Sequence, residues 1–212
     1  MTMANQTWRD ATRPEAWAGE LRVNLIRLLA IVLFYGRHLV EWFLAPKDAA
    51  VRGHYHIAVT VVVIAWAFEA VVLHGWLSRR RYDDWIKYFA VLWDALMMTL
   101  LCAVAGGPQS PLTALFFALI ASAPLRLSIR LVYATTAAAM LGYLFLLGYY
   151  VWYVIGFHRY YATPELRIPR SQEAIVLLAL LVCGLFAGQV VRQVRRVVLS
   201  PVHVAPETSE GQ

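Results

Sequence analysis

Six apolar runs, each close to the length that crosses a bilayer, occupy the chain from Leu25 to Val191 and leave little between them. They span residues 25–44, 57–77, 88–105, 111–127, 131–157 and 174–191. A hydrocarbon core of about 30 Å takes about 20 helical residues at a rise of 1.5 Å each. Hydrophobic residues make up 60% of the chain and charged residues 15%, against about 25% charged in soluble domains. The expected fold is all-α: a polytopic membrane protein with six transmembrane helices over residues 21–198. Residues 1–20 read as a cytoplasmic tail or short surface helix, and 199–212 as a disordered cytoplasmic tail. Asn24 is placed to cap the first run. That run is too long for a cleavable signal and carries Arg37, His38 and Glu41, so it stays in the membrane.

The net charge of +6 falls in a pattern that speaks of topology, not of nucleic acid. Arg9, Arg13, Arg22, Arg27, Arg79, Arg80, Arg81, Lys87, Arg126, Arg130, Arg192, Arg195 and Arg196 flank one set of run ends. The other set has only Lys47, Arg52, Arg159, Arg167 and Arg170. The positive-inside rule therefore puts both termini in the cytoplasm, in a multi-pass protein of the cell (inner) membrane. A re-entrant fourth run, the shortest, would reverse everything after it, and the charge split argues against that. Trp42, Trp76, Trp85, Tyr149, Trp152 and Tyr153 lie at run ends, where amphipathic rings anchor at headgroup level. Cys102 and Cys183 lie within runs, without metal-ligand or disulfide spacing.

Charge inside the runs is the strongest pointer to function, because an intramembrane ion is costly unless paired. Arg37 and Glu41 are four apart on one helix face and can pair. Glu69 and Asp94 stand at matching depths, about 10 Å from the inner ends of their runs. They could share a proton or a cation, or each bond a neighbour such as Thr99 or Tyr133. The alternative is structural glue: buried carboxylic acids bonded between helices. A b-type haem needs two facing axial histidines at one depth. Only His38 with His54 or His56 approaches this, and their expected depths differ, so haem is disfavoured. No metal site is expected. Gly184 and Gly188 form a G-x-x-x-G on the sixth run, suited either to packing within the bundle or to a homodimer contact.

The third and fourth runs are joined by Gly106-Gly107-Pro108-Gln109-Ser110-Pro111-Leu112. Its glycines permit positive φ and its prolines fix the return. Free backbone N–H groups there, beside an apolar cleft, could receive a carbonyl such as that of a quinone. This turn resembles the Gly-Gly-x-x-Asn-Pro-Phe turn in the six-helix sensor domain of redox-responsive histidine kinases, with Ser110 for Asn and Leu112 for Phe. More broadly, residues 20–196 are similar to the six-helix input domains of bacterial histidine kinases and nucleotide cyclases. Trp85, Asp94 and the segment Leu125-Arg126-Leu127-Ser128 add to the likeness. The resemblance implies quinone binding at Gly106, Gly107 and Pro111, and Pro108 and Ser110 of the same turn are further candidate ligand-binding residues.

In such sensors the last helix continues into a kinase or cyclase. Here residues 191–198 extend about two turns before Ser200-Pro201, with no phosphoacceptor or nucleotide-binding segment, so a non-catalytic protein is expected. The leading expectation is a sensor or scaffold module binding a lipophilic ligand such as quinone and acting on a separate cytoplasmic partner. Arg79–Arg81, Arg126 and Arg192–Arg196 would touch that partner or anionic lipid. One alternative is a quinone- or haem-binding subunit of a respiratory membrane complex, using His38, His54, His56 and Glu69. Another is a small proton-coupled transporter using Glu69 and Asp94, against which the lack of internal repeats counts.

Overall fold

The computed structural model describes residues 3–44, 49–79, 84–156 and 170–199. They form helices α1 (Met3–Leu44), α2 (Ala49–Ser78), α3 (Asp84–Val104), α4 (Ala114–Ser122), α5 (Ile129–Tyr149) and α6 (Arg170–Leu199). A π-helical segment, Tyr150–Gly156, extends α5. Residues 45–48, Arg80, Arg81, residues 157–169 and the tail from Ser200 lie outside the described residues.

The all-α membrane architecture is the one expected, and among the described residues five helices are long and apolar enough to cross a membrane. The segment Pro111–Arg126 is shorter, which departs from six near-equal spans. It compensates by stretching. Pro111–Thr113 and Ala123–Arg126 are 3₁₀ turns flanking the nine-residue α4. At 2.0 Å per 3₁₀ residue and 1.5 Å per α residue the segment reaches about 27 Å, close to a bilayer core. It starts beside the end of α3 at Val104 and finishes at Arg126, whose Nη1 donates to the Lys87 carbonyl at the other end of α3 (3.3 Å). The segment thus runs the length of α3 and does not re-enter.

From Met3 onward the N-terminal segment is helical. Helix α1 is continuous from Met3, and Asn24 lies in its interior, so it caps nothing. Tertiary contacts account for the extension. The Trp17 indole donates to the Leu77 carbonyl (3.0 Å), and Trp17 and Leu21 pack on Leu73, Leu77, Ile86 and Ala90 of α2 and α3.

Polarity runs opposite to that of a soluble bundle. Leu29, Val61, Phe68, Leu144 and Phe186 face outward, whereas Glu20, Asn24, Arg27, Asp94, Arg126 and Thr135 are buried. Lipid is as apolar as leucine, so burial of Leu alone cannot drive helix association, and polar bonds and close packing take its place. Helix α4 is wedged among α3, α5 and α6, with Phe116 and Ile120 fully enclosed against Tyr143 and Leu146. Helix α1 packs on α2 and on the 3₁₀ turn after α4. Between α1 and α4 the bundle opens.

Candidate functional site

Arg27 joins the two carboxylates that the sequence placed at one depth. Its Nη1 donates to Glu69 Oε2 (2.9 Å) and to Asn24 Oδ1 (3.2 Å), and its Nη2 to Asp94 Oδ2 (2.5 Å). Trp66 Nε1 donates to the other Asp94 oxygen (2.8 Å), and Asn24 Nδ2 to the Ala70 carbonyl (2.9 Å). The side chains of Arg27 and Asp94 are each 4% exposed and that of Glu69 is 10% exposed. Three helices are therefore tied by charge-assisted bonds in a low-dielectric interior, where such bonds are strong. Thr99 and Tyr133, the partners weighed from sequence, are not used: Thr99 donates to the Ala95 carbonyl, and Tyr133 accepts from Arg192.

The charge pattern alone reads Arg27 as a topology residue at the cytoplasmic edge. The structure makes it the hub instead. The missed signal is a stripe on α1, Glu20, Asn24 and Arg27, at spacings of four and three that lie on one helical face. Arg27 stands ten residues from Trp17, about 15 Å along the helix.

Above this cluster lies a cleft of about 280 Å³. Arg27, Trp66 and Asp94 line its floor, while Ile26, Phe34 and Ala118 are exposed along its rim between α1 and α4. Leu101, Leu115 and Leu119 form apolar walls, and His38, Tyr55, Arg37 and Glu41 line the far end. Seven residues before Arg27 on α1, at the foot of the bundle, lies a second buried ion pair, Glu20 Oε2 to Arg126 Nε at 3.2 Å. There the α1 backbone at Gly19 approaches the Leu125 carbonyl so closely that a Cβ would sit 2.1 Å from its oxygen.

The turn after α3 divides in two. Ser110 and Pro111 line the cleft. Gly106, Gly107 and Pro108 do not. Gly107 (φ 74°) fits the Tyr150 ring, and a Cβ there would stand 2.5 Å from it. Gly106 (φ 100°) turns the chain. Several donors expected to be free are engaged within the turn. Ser110 N donates to Gly107 O, Leu112 N to Ser110 Oγ and Thr113 N to Ser110 O. A carbonyl ligand therefore does not find those three N–H groups.

At the far end His38 Nε2 and His56 Nδ1 are 3.1 Å apart, and Trp42 stacks on His56 with centroids 4.2 Å apart. The two imidazoles are in direct contact, not at differing depths as expected. That spacing leaves no room between them for an iron bound on both faces. Arg37 and Glu41 pair as expected but are largely exposed. Among the described residues no group of three or more His, Cys, Asp or Glu side chains is arranged to hold a metal ion.

The α6 glycines face α5. A Cβ at Gly184 would lie 2.2 Å from Thr136 Oγ1, and one at Gly188 3.1 Å from the Tyr133 hydroxyl. Of the two uses open to the G-x-x-x-G, packing within the bundle is the one adopted.

A bundle of apolar helices around buried charge, open sideways between two of them, defines the class as an all-α polytopic membrane protein. The particular family follows from comparison: a family model described as the PilS-like transmembrane domain, a six-transmembrane type, matches residues 13–196. The chain belongs to that family. No curated protein and no solved structure matches it.

Proposed function

We propose that this chain is a non-catalytic membrane sensor module that takes a lipophilic ligand such as a quinone into the cleft between α1 and α4. On this reading it signals through its basic end to a separate cytoplasmic partner. The observation that carries the reading is the cleft itself, apolar along its walls and rim yet floored by a buried arginine–carboxylate cluster. Family membership supports the sensor class.

Occupancy has a direct mechanical route. The floor residues belong to α1, α2 and α3, and the foot pair Glu20–Arg126 ties α1 to the segment leading into α5. Helix α5 packs along α6, which carries Arg192, Arg195 and Arg196 at its basic end. A ligand that spreads α1 from α4 therefore loads the contacts that position α6. The test is extraction and identification of co-purified lipophiles, followed by titration of a short-tailed quinone into protein in nanodiscs. Saturable binding blocked by bulky substitution at Ala118 is expected. Binding that never saturates, or that ignores Ala118→Trp, overturns the reading.

A further inference from the structure

At the end of the cleft remote from the ion cluster stand two side chains of opposite charge that remain accessible. Arg37 and Glu41 both line the cleft, and their side chains are 66% and 56% exposed. Arg37 Nη2 donates to Glu41 Oε1, and neither residue has another hydrogen bond or ion pair among the described residues. The other guanidinium N–H groups and the second carboxylate oxygen are thus left for a ligand. As a structural tie the pair is worth little, about 0.3–0.5 kcal/mol for an exposed pair four residues apart on a helix. It also marks a level. On the outward face of α1, Leu25, Leu29, Val32 and Leu33 lie between exposed Arg22 at one end and Arg37 and Glu41 at the other. Arg22 and Glu41 are nineteen residues apart, about 28 Å, close to the bilayer core of about 30 Å. Arg37 and Glu41 therefore stand at head-group level in the leaflet opposite the basic end.

Resting on the reading of the cleft as a ligand site, we infer that its occupant is a phospholipid with a primary-ammonium head. The phosphate sits on Arg37, the ammonium on Glu41, and one acyl chain runs along the apolar walls toward the floor. Charge sets the head. A guanidinium offers a phosphate several N–H donors in a fixed fork, and a carboxylate accepts from an ammonium. The order along the helix is the order within the lipid. Arg37 is the deeper of the two, as a phosphate is the part of the head nearer the chains, and Glu41 lies one turn, about 6 Å, further out. A head carrying phosphate alone brings its charge against Glu41 with nothing to offset it. A trimethylammonium head carries both charges but has no N–H for Glu41 to accept. At the floor both Asp94 oxygens are taken, by Arg27 and Trp66, and Arg27 Nε is enclosed beyond a ligand's reach, so the head has no seat there. The depth suits a chain: Arg37 and Arg27 are ten residues apart, about 15 Å, which is the hydrocarbon thickness of one leaflet. Ile26, Phe34 and Ala118 are exposed along the rim, so the chain enters sideways from the bilayer. A volume of about 280 Å³ is at the lower edge of ligand pockets, about 300–1,000 Å³, and takes one chain while the second stays in the lipid.

A head-group series on the native chain in phosphatidylcholine nanodiscs tests this. The probe is a phosphatidylethanolamine with a diazirine in one acyl chain, and labelled residues are read by mass spectrometry after photolysis. Saturable labelling around Ile26, Phe34 and Ala118 is expected. Replacing part of the phosphatidylcholine by unlabelled phosphatidylethanolamine should suppress that labelling roughly fivefold more than the same share of phosphatidylglycerol, the order of one partly exposed charge-assisted hydrogen bond. If unlabelled phosphatidylethanolamine suppresses nothing, or phosphatidylglycerol suppresses as much, the head is not read and the inference is overturned while the cleft reading stands. The short-tailed quinone serves as a second probe of the cleft. Saturable quinone binding without lipid labelling sinks the lipid alone. If neither molecule occupies the cleft saturably, the reading beneath this one fails as well. In Glu41→Gln, an exposed change that leaves Arg37 in place, the preference for phosphatidylethanolamine over phosphatidylglycerol should vanish. Its persistence in folded variant protein overturns the assignment of the ammonium to Glu41.

Discussion

Glu20 and Arg126, 106 positions apart in the sequence, form an ion pair at 3.2 Å with side chains 4% and 2% exposed. Removing one partner strands the other as an uncompensated buried charge, which costs about 3–5 kcal/mol. Glu20→Ala and Arg126→Ala are each expected to lose about that much stability in equilibrium unfolding in mixed micelles. The pair Glu20→Leu with Arg126→Met is expected to recover most of the loss, because a well-packed apolar pair suits the interior. If the double variant is no better than the singles, packing around Gly19 and Leu125 holds this contact, and the charges do not.

Asp94 and Glu69 should differ sharply. Truncation of Asp94 leaves both Arg27 Nη2 and the Trp66 indole without an acceptor, so Asp94→Ala is expected to cost about 3–5 kcal/mol. Glu69→Gln keeps an acceptor oxygen for Arg27 and is expected to cost about 1 kcal/mol. Unfolding monitored by tryptophan emission checks both. Equal losses would mean that the cluster acts only as a charge sum, without directional bonds.

Gly184 is predicted to tolerate no side chain while Thr136 stands opposite. Gly184→Ala is expected to destabilise the bundle by about 1–3 kcal/mol, the usual range for overpacking, and Thr136→Ala in the same chain should restore part of it by removing the two nearest atoms. Gly188→Ala should cost less, because the Tyr133 hydroxyl at 3.1 Å is the end of a longer side chain. Resistance to unfolding in sodium dodecyl sulfate gives the order.

The turn after α3 offers a graded set. Gly106→Ala meets no neighbour within 4 Å and bears only the strain of φ 100°, about 1–2 kcal/mol. Gly107→Ala bears similar strain and also collides with Tyr150, so it should lose more. Ser110→Ala removes the acceptor for Leu112 N at a cost of about 1 kcal/mol, whereas Ser110→Asn should retain it. Thermal melting in detergent tests the series, and a Gly106→Ala loss exceeding that of Gly107→Ala would contradict the assignment of Gly107 to Tyr150.

The sequence by itself determined the class of fold, since runs of about 20 apolar residues have essentially one helical solution in lipid. It also singled out Glu69 and Asp94, because depth follows from counting at 1.5 Å per residue. Their shared partner was decided by tertiary structure alone. Arg27 reads as one more arginine near a membrane edge until α1 extends back to Met3 and carries it into the interior, and that extension depends on Trp17 and Leu21 meeting α2 and α3. The same holds for Gly184, whose spacing suits two helices within a chain or two chains equally, and which only the position of Thr136 assigns. The cleft was least legible of all. It arises where α1 packs closely on the turn after α4 and the cleft opens beside α4, and a gap between two helices is set by the crossing of their axes, which no single helix encodes.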